Sequence, residues 1–194
     1  MNPEARPSQT PGWKLRRMWV ETALGRLLVV ASESGLCHLG LDPDHALTAL
    51  GRWAGRIAPC VEVLEEPTAM LAEAAGQLVE YGRGQLRRLE LPLDLRGTDF
   101  QRAVWRELTA IPYGTTSTYG EIAARLGHPG ASHAVGRAAG NNPVPLVVPC
   151  HRLLASRGLG GFSGGLERKR ALLVLEGILP GVQKELGFGA HPGG

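Results

Sequence analysis

The second half of the chain carries two helix-start signals that constrain its fold more than any other feature. Thr98 is followed three residues later by Gln101, and Thr118 by Glu121. In such a capping box, the hydroxyl accepts a hydrogen bond from a free amide at the helix N-terminus, and the Gln or Glu side chain returns to the amide of the cap residue. The sequence therefore predicts a helix beginning after each threonine.

The second of these helices leads into a third, shorter one made mainly of small residues. Gly127 suits the C-terminus of the second helix because glycine readily adopts a left-handed conformation. The four residues HPGA then precede SHAVGRAAG, residues 132–140. Two short helices joined by a tight glycine-containing turn outline a helix-turn-helix, although they also fit a plain packing corner. We favour the former, because a helix carrying Ala134 and Gly136 can approach a nucleic-acid groove closely and Arg137 on it can reach a phosphate.

The first half has a different pattern, in which strands and helices mix. Residues 19–41 contain alternating and β-branched apolar stretches that break at Gly25 and Gly35, which predicts an antiparallel hairpin or meander. Helices are expected over 46–54 and 68–81. The predicted organisation is a flexible tail at 1–18, a mixed domain at 19–97, a helical domain at 98–181 and a second flexible tail at 182–194.

Charge and hydropathy limit the cellular location and the binding partners that we expect for this chain. Residues 98–181 carry nine basic and five acidic side chains, whereas residues 1–97 carry eleven and twelve, so a modest basic excess that permits nucleic-acid binding belongs to the second half. The sequence has no apolar run approaching the roughly 20 residues of a membrane span, and no apolar signal segment follows its N-terminus. We therefore expect a cytoplasmic protein without a membrane partner.

The three cysteines, at positions 37, 60 and 150, are too few and too scattered for a disulfide scaffold. Cys37 stands directly beside His38, which is not zinc-ligand spacing, and the chain has no CxxC motif. The expectation is reduced thiols and no bound metal.

The sharpest local feature is NNPVPLVVPCHRLL, residues 141–154. Its apolar residues 146–148 predict a short buried strand that Pro149 ends, with Cys150 and His151 directly after it. A thiol becomes a strong nucleophile when an imidazole takes its proton, and that imidazole needs a carboxylate to fix its tautomer. Glu176, at the end of a predicted helix over 166–176, is a plausible third member. The alternatives are an inert buried thiol and a structural histidine.

Three segments together resemble the O6-alkylguanine-DNA alkyltransferases, also called methylated-DNA-protein-cysteine methyltransferases. They are FQRAVWRELTAIPYGTTSTYGEIAARLG, HAVGRAAGNNPVPLVVPCHRLL and GGFSGGLERKRALLVLEG, and the PCHR run is the most specific. The resemblance covers residues 98–177 strongly and residues 19–97 weakly. It implies an α/β plus α fold: a ribonuclease-H-like N-terminal domain followed by a mostly helical, winged-helix-like C-terminal domain with a helix-turn-helix.

The resemblance also implies roles for individual residues. Cys150 would be the alkyl acceptor, His151 the base that acts on it through a water, and Glu176 the residue that orients His151. Asn142 would brace the nucleophile's loop, and Tyr119 would turn the target phosphate and contact the guanine edge. The remaining residues expected at the substrate or the DNA are His133, Ala134, Gly136, Arg137, Pro145, Arg152, Phe162 and Ser163, with Arg152 and Lys169 bracing the pocket.

The implied chemistry is a single-turnover transfer of a methyl or larger alkyl group from O6 of guanine, and from O4 of thymine, to the Cys150 thiol. The O6 atom lies inside the stacked duplex, so the nucleotide must be flipped out at a cost of a few kcal/mol. Hydrogen bonds from Tyr119 and from the Ser163 amide would stabilise the departing guanine anion. The thioether product is too stable to leave, so the protein would react once. The implied partner is double-stranded DNA, met by a monomer without a cofactor.

One position departs from the family pattern. Three residues before the Gly of its RAVG run the family usually has an arginine, which enters the base stack where the nucleotide left, and this chain has His133. Histidine is shorter than arginine and usually neutral at pH 7. We hypothesise that His133 still enters the stack, with less efficient flipping or with help from Arg137. The alternative is a surface histidine whose role another residue has taken.

Two other functions remain open on the sequence. A non-catalytic sensor of DNA lesions would share this fold, but members of that group lack the acceptor thiol that Cys150 supplies. A Cys-His hydrolase would need only Cys150, His151 and Glu176, and it would leave the helix-turn-helix without a purpose. Release of product beyond one equivalent would favour the hydrolase.

Overall fold

The computed structural model describes residues 13–180, which form a sheet-containing first half and a helical second half. The first half is a four-stranded sheet in the order β3-β2-β1-β4. Strands β1 and β2 pair antiparallel, as do β2 and β3, while β4 pairs parallel with β1. The strands are β1 (Trp13–Thr22), β2 (Gly25–Ala31), β3 (Leu36–Gly40) and β4 (Val61–Glu65).

Two helices cover the two faces of this sheet. Helix α1 (Ala46–Ile57) packs on the face that carries Leu28 and Val30, and helix α2 (Ala69–Gly82) packs on the face that carries Leu27 and Val29. A strand covered on both faces has a continuous apolar run instead of an alternating one, which is why LLVV stands at the centre of β2. The predicted meander and both predicted helices are confirmed.

The start of the sheet corrects one predicted boundary. Strand β1 begins at Trp13, so residues 13–18 belong to the sheet and not to a flexible tail. Arg16 and Arg17 of this segment form ion pairs with Glu66 and Glu65 at the end of β4. The rest of the predicted N-terminal tail, and the predicted tail at 182–194, lie outside the described residues.

The second half contains the predicted helices. Both capping boxes are present, and Gly127 has the left-handed φ of 76° expected after the second helix. Two-residue strands β5 (Ser117–Thr118) and β6 (Leu153–Leu154) pair parallel. The helices are α3 (Asp99–Thr109), α4 (Tyr119–Arg125), α5 (Ser132–Gly140) and α6 (Leu166–Leu175), with a 3-10 helix at Cys150–Arg152.

The strand predicted at 146–148 is wrong, because these residues form a buried turn. Leu146 has a φ of 76°, the one positive value outside glycine among residues 13–180. The Val148 amide donates to the Val144 carbonyl over 3.0 Å, which closes the turn. Pro145 and Pro149 flank it and have no amide to give to a strand ladder. A short apolar run between prolines is buried here without being extended.

The two halves share one continuous core and touch directly beside this turn. The amide of Leu39, in β3, donates to the carbonyl of Pro143 over 2.8 Å. Buried side chains of α2, α3, α4 and α5 belong to the same apolar cluster. The edge strand β3 of the first domain's sheet is thereby held against the loop that carries Cys150. Within residues 13–180, no helix is long and apolar enough to cross a membrane.

Candidate active site

Cys150 lies at the start of the 3-10 helix, and Asn142 fixes its position. The Asn142 Nδ2 group donates to the Cys150 sulfur over 3.2 Å and to the Val148 carbonyl over 2.8 Å. Its Oδ1 atom accepts from the Val144 amide over 3.1 Å. One buried amide side chain therefore ties both ends of the proline-rich turn to the sulfur.

The Cys150 thiol is protected from solvent and protonated at neutral pH. Burial raises the pKa of this thiol to about 11, and the hydrogen bond from Asn142 only partly opposes the effect. Only 5% of the residue is exposed. Since the thiolate is the nucleophilic form, a base must take the proton when substrate is in place.

His151 and Glu176 form a buried pair beside the thiol. Nε2 of His151 lies 2.7 Å from Oε1 of Glu176. Burial raises the pKa of the Glu176 carboxyl, but hydrogen bonds from His151 and Arg152 outweigh burial and lower it to about 2. The Glu176 carboxylate therefore accepts the hydrogen bond, and Nε2 of the neutral His151 imidazole carries the proton.

The other ring nitrogen of His151 is the available base. Nδ1 is buried and accepts no hydrogen bond from any atom of residues 13–180. Burial lowers the pKa of His151, and the Glu176 carboxylate opposes that shift. His151 and Cys150 belong to the same 3-10 helix, so this helix supplies both a protonated thiol and a neutral imidazole with a free acceptor nitrogen, the two groups that proton transfer requires.

Glu176 also accepts hydrogen bonds from three other residues. Arg152 binds it in a bidentate manner, with Nε at 2.9 Å from Oε2 and Nη2 at 3.0 Å from Oε1. The Gly114 amide donates to Oε2 over 3.1 Å, and the Tyr81 hydroxyl donates to Oε1 over 2.6 Å. The sequence pattern placed Tyr81 only on the apolar stripe of α2, since nothing local indicates the partner of a hydroxyl.

Arg152 is buried and binds Glu176, which is in keeping with the bracing role that the resemblance implies. Its remaining donor, Nη1, binds the Ile111 carbonyl over 2.6 Å. Each of the three guanidinium nitrogens thus has an acceptor inside the protein, and the group compensates the charge of Glu176. A buried carboxylate needs such a partner because an unpaired charge in the interior is costly.

Tyr119 lies at the first turn of α4, between α5 and the loop at 155–165. A Cβ atom at Gly160 would stand 2.9 Å from the Tyr119 hydroxyl, and one at Gly136 would stand 3.5 Å from its ring. Burial raises the pKa of Tyr119, and a backbone hydrogen bond from Gly161 partly offsets it. The loop can lie this close to the tyrosine because it carries glycine at the contact.

A buried lysine holds the same loop in place. Nζ of Lys169 donates to the carbonyls of Leu153, Leu159 and Gly161 over 2.6, 2.5 and 3.1 Å. Burial lowers the pKa of Lys169 to about 8. The loop carries the predicted residues Phe162, half-buried and edge-on to the His151 ring, and Ser163, which is exposed.

The exposed face of α5 presents His133, Ala134 and Arg137, with Gly136 half-buried beside Tyr119. Ala138 and Ala139, the other small residues of this helix, face the core, where the Ala138 carbonyl accepts from the Trp105 indole over 2.9 Å. Small residues therefore lie on both the exposed face and the buried face of α5.

Pro145 is buried in the turn near Asn142. Cys37 is buried in the first domain, where its thiol donates to the Val30 carbonyl over 3.4 Å and burial raises its pKa to about 12. In the described part of the chain, no group of three or more His, Cys, Asp and Glu side chains could hold a metal ion.

Two family models match the chain, one on each half. Residues 15–95 match the ribonuclease-like domain of 6-O-methylguanine DNA methyltransferase, and residues 99–178 match its DNA binding domain. A methylated-DNA–protein-cysteine methyltransferase of Methanosarcina acetivorans is 38% identical over 159 residues, which cover 81% of this chain and 95% of that protein. The chain belongs to the 6-O-methylguanine DNA methyltransferase family.

Further comparisons agree with membership of this methyltransferase family. A relative of the same name from Mycolicibacterium paratuberculosis is 54% identical over 113 residues, 58% of this chain and 68% of that protein. For the relative from Mycobacterium bovis, the match covers 63% of that protein. The crystal structure of Mycobacterium tuberculosis OGT in complex with DNA has a TM-score of 0.70 at 40% identity, covering 84% of this chain and 92% of that one. The predicted fold class is confirmed on both halves.

Proposed function

We propose that this protein repairs alkylated DNA by moving an alkyl group from O6 of a flipped-out guanine to the sulfur of Cys150. The observation that carries the proposal is a pair of buried hydrogen bonds at consecutive residues, Asn142 to Cys150 and His151 to Glu176, in the domain whose helix α5 has an exposed face. A hydrolase needs the same thiol and imidazole but has no use for that face. The geometry of the site and the family together support transfer.

In the transfer, the sulfur forms a bond to the alkyl carbon while the bond from that carbon to O6 breaks. The thiol proton passes through a water to Nδ1 of His151, which becomes positive and is stabilised by the Glu176 carboxylate. The electron pair of the broken bond stays on the guanine. Donors placed at the leaving guanine lower the barrier, because they act where negative charge develops.

We assign those donors to Tyr119 and to the backbone amide of Ser163. Tyr119 lies beside α5 and under the loop at 155–165, so its hydroxyl can meet a base that enters from the DNA side. Phe162 and Pro145 line the same region as apolar walls. Lys169 acts on the base indirectly, by fixing the carbonyls of the loop.

DNA is proposed to lie against α5. Ala134 and Gly136 allow close approach, Arg137 supplies a charge for a phosphate, and His133 enters the stack that the base leaves. Most of this binding is electrostatic, so it falls with salt and has little sequence preference. We propose that a monomer acts on O6-alkylguanine and on O4-alkylthymine, in the cytoplasm, where the acceptor thiol stays reduced.

A single-turnover assay tests the proposal. The protein is mixed with a duplex carrying one radiolabelled O6-methylguanine, and label on protein is counted for wild type, Cys150→Ser and Cys37→Ser. Label up to one equivalent in wild type and Cys37→Ser, absent in Cys150→Ser, supports transfer to Cys150. Tight binding that prefers the lesion without any transfer would replace it with the lesion sensor, and turnover of an ester beyond one equivalent would replace it with the hydrolase.

A further inference from the structure

A groove between the two halves of the molecule opens beside the proposed acceptor. It encloses about 430 Å³. One wall is the end of β3 and the exposed side of α1, and the other is formed by Asn142, Pro145 and Ser163. Asn142 also binds the Cys150 sulfur, so the groove begins one side chain away from the reacting atom.

The floor of the groove holds a buried histidine without a protein partner. His38 is 7% exposed, and neither of its ring nitrogens makes a hydrogen bond to any atom of residues 13–180. Its ring is tilted by 37° to that of Trp53 at a centroid distance of 5.3 Å. Buried polar atoms are nearly always satisfied, so two unsatisfied nitrogens on the lining of a cavity point to a ligand.

The α1 wall of the groove is positively charged. Arg52 and Arg56 lie one helical turn apart on the groove side, and neither forms an ion pair within the described residues. Asp42 is the one carboxylate among the described residues that line the groove, and it accepts a hydrogen bond from His45 Nδ1 at 2.8 Å. Two arginines without an acidic partner, beside a tryptophan ring and a histidine, suit an anionic group attached to an apolar or aromatic body.

We propose that this groove binds the distal, negatively charged end of a large substituent on O6, so that the protein also repairs adducts that end in a carboxylate. The inference rests on the proposed function. The reacting carbon must meet the sulfur with O6 on its far side, so the rest of the substituent projects sideways from this line. Asn142 contacts the Cys150 sulfur and also lines the groove, together with Pro145 and Ser163, so a substituent that projects sideways from the sulfur can enter the groove past Asn142.

Free-base substrates test the charged end of the O6 substituent separately from the DNA backbone, because they contain no phosphate. Wild-type protein is reacted with O6-benzylguanine carrying either a 4-carboxylate or a 4-carboxamide, and alkylation of Cys150 is followed by mass. We expect the carboxylate to react about fivefold faster, the scale of partly exposed ion pairs. Arg52→Gln/Arg56→Gln is expected to remove that preference, and the exposed control Arg83→Gln/Arg88→Gln is expected to keep it.

A second variant addresses the histidine. His38→Phe keeps a ring against Trp53 and removes both nitrogens, and it is expected to slow the carboxylate substrate more than the carboxamide. Melting temperatures of all variants show whether each is folded. The proposal would be overturned if Arg52→Gln/Arg56→Gln kept the preference for the carboxylate substrate. It would also be overturned if the carboxylate and the carboxamide reacted at equal rates with wild-type protein.

A duplex carrying O6-methylguanine separates the other source of an anion, a DNA phosphate. Methyl transfer from this duplex is expected to be unchanged in Arg52→Gln/Arg56→Gln, because a methyl group does not reach the groove. Equal slowing of every duplex substrate, with no effect on free bases, would assign the groove to DNA phosphate and overturn the proposal. Absence of methyl transfer in wild type would instead overturn the proposed function itself.

Discussion

The Tyr81 hydroxyl donates a 2.6 Å hydrogen bond to Glu176, a residue 95 positions further along the chain. Tyr81 ends the buried stripe of α2 in the first domain, whereas Glu176 follows α6 in the second. The carboxylate that holds His151 is therefore completed by the other half of the molecule. The first domain therefore supplies a hydrogen bond to the site although it carries none of the atoms proposed to react.

Removing this hydroxyl tests that contribution. Tyr81→Phe takes one donor from a buried carboxylate, which costs about 1 to 3 kcal/mol and is expected to slow transfer about tenfold. Single-turnover kinetics and urea unfolding measure the two effects. Tyr113→Phe is the control, because its hydroxyl donates to the Leu175 carbonyl and not to Glu176. A Tyr81→Phe rate equal to that of the control would contradict a positioning role.

The contact between Gly160 and Tyr119 predicts a second effect. Gly160→Ala would place a Cβ atom 2.9 Å from the Tyr119 hydroxyl, so the loop or the tyrosine must move. Gly158→Ala is a matched control, since Gly158 also has a positive φ but a Cβ there has no neighbour within 4 Å. Both variants lose about 1 to 2 kcal/mol to backbone strain.

Only Gly160→Ala is expected to slow methyl transfer, by about tenfold or more, because displaced groups in a site lose rate steeply. Transfer kinetics with a lesion-containing duplex measure the difference. Equal rates for the two glycine variants would show that Tyr119 is not needed where the structure places it.

His133 is the departure from the family whose effect is easiest to measure. His133→Arg restores a longer, charged side chain at the position proposed to enter the base stack, and it is expected to raise the transfer rate on duplex DNA. His133→Ala is expected to lower both rate and affinity. An unchanged rate and affinity in the alanine variant would leave His133 as a surface histidine, and free-base substrates serve as the control because they need no flipping.

Acid stability follows from the buried histidines. Burial lowers the pKa of His38 from 6.5 to about 4, and burial also lowers the pKa of His151. The unfolded chain therefore binds more protons than the folded one below pH 6.5, so the unfolding free energy is full above 6.5 and falls as the pH drops towards 4. His38 alone accounts for up to about 3 kcal/mol of this loss.

Urea unfolding at pH 7, 6 and 5 measures this slope. His38→Phe is expected to flatten it, because the variant has no group at that position to titrate. A slope that is the same in wild type and His38→Phe would contradict a neutral, buried His38. Since Glu176 has a pKa of about 2, its own contribution to the unfolding free energy is lost only as the pH falls below 4.5.

Local signals in the sequence were sufficient for much of the second half. The capping boxes at Thr98 and Thr118 specify helix starts within four residues, and both are present in the structure. Pairing with β4 is a long-range feature, so the sequence showed neither that strand nor the start of β1 at Trp13. The turn at Leu146 was missed because an apolar run has the same pattern whether it is a strand or a buried turn.

The candidate site divides in the same way. Cys150 and His151 stand in one short motif, and Glu176 could be named from the chemistry that the imidazole requires. The resemblance implied that Arg152 braces the pocket, but its bidentate partner Glu176 lies 24 residues further along the chain and has no local signal. Tyr81 and His38 had no local signal, because the importance of Tyr81 depends on its bond to Glu176 in the other domain and that of His38 on a groove between the two domains.

Peptide mass mapping after reaction locates the transferred methyl group. The protein is incubated with excess duplex containing O6-methylguanine and digested, and the masses of its cysteine peptides are measured. We expect one methyl per molecule, on the peptide that contains Cys150, with the peptides of Cys37 and Cys60 unchanged. A methyl group on any other residue, or repaired DNA with every peptide unmodified, would contradict this expectation.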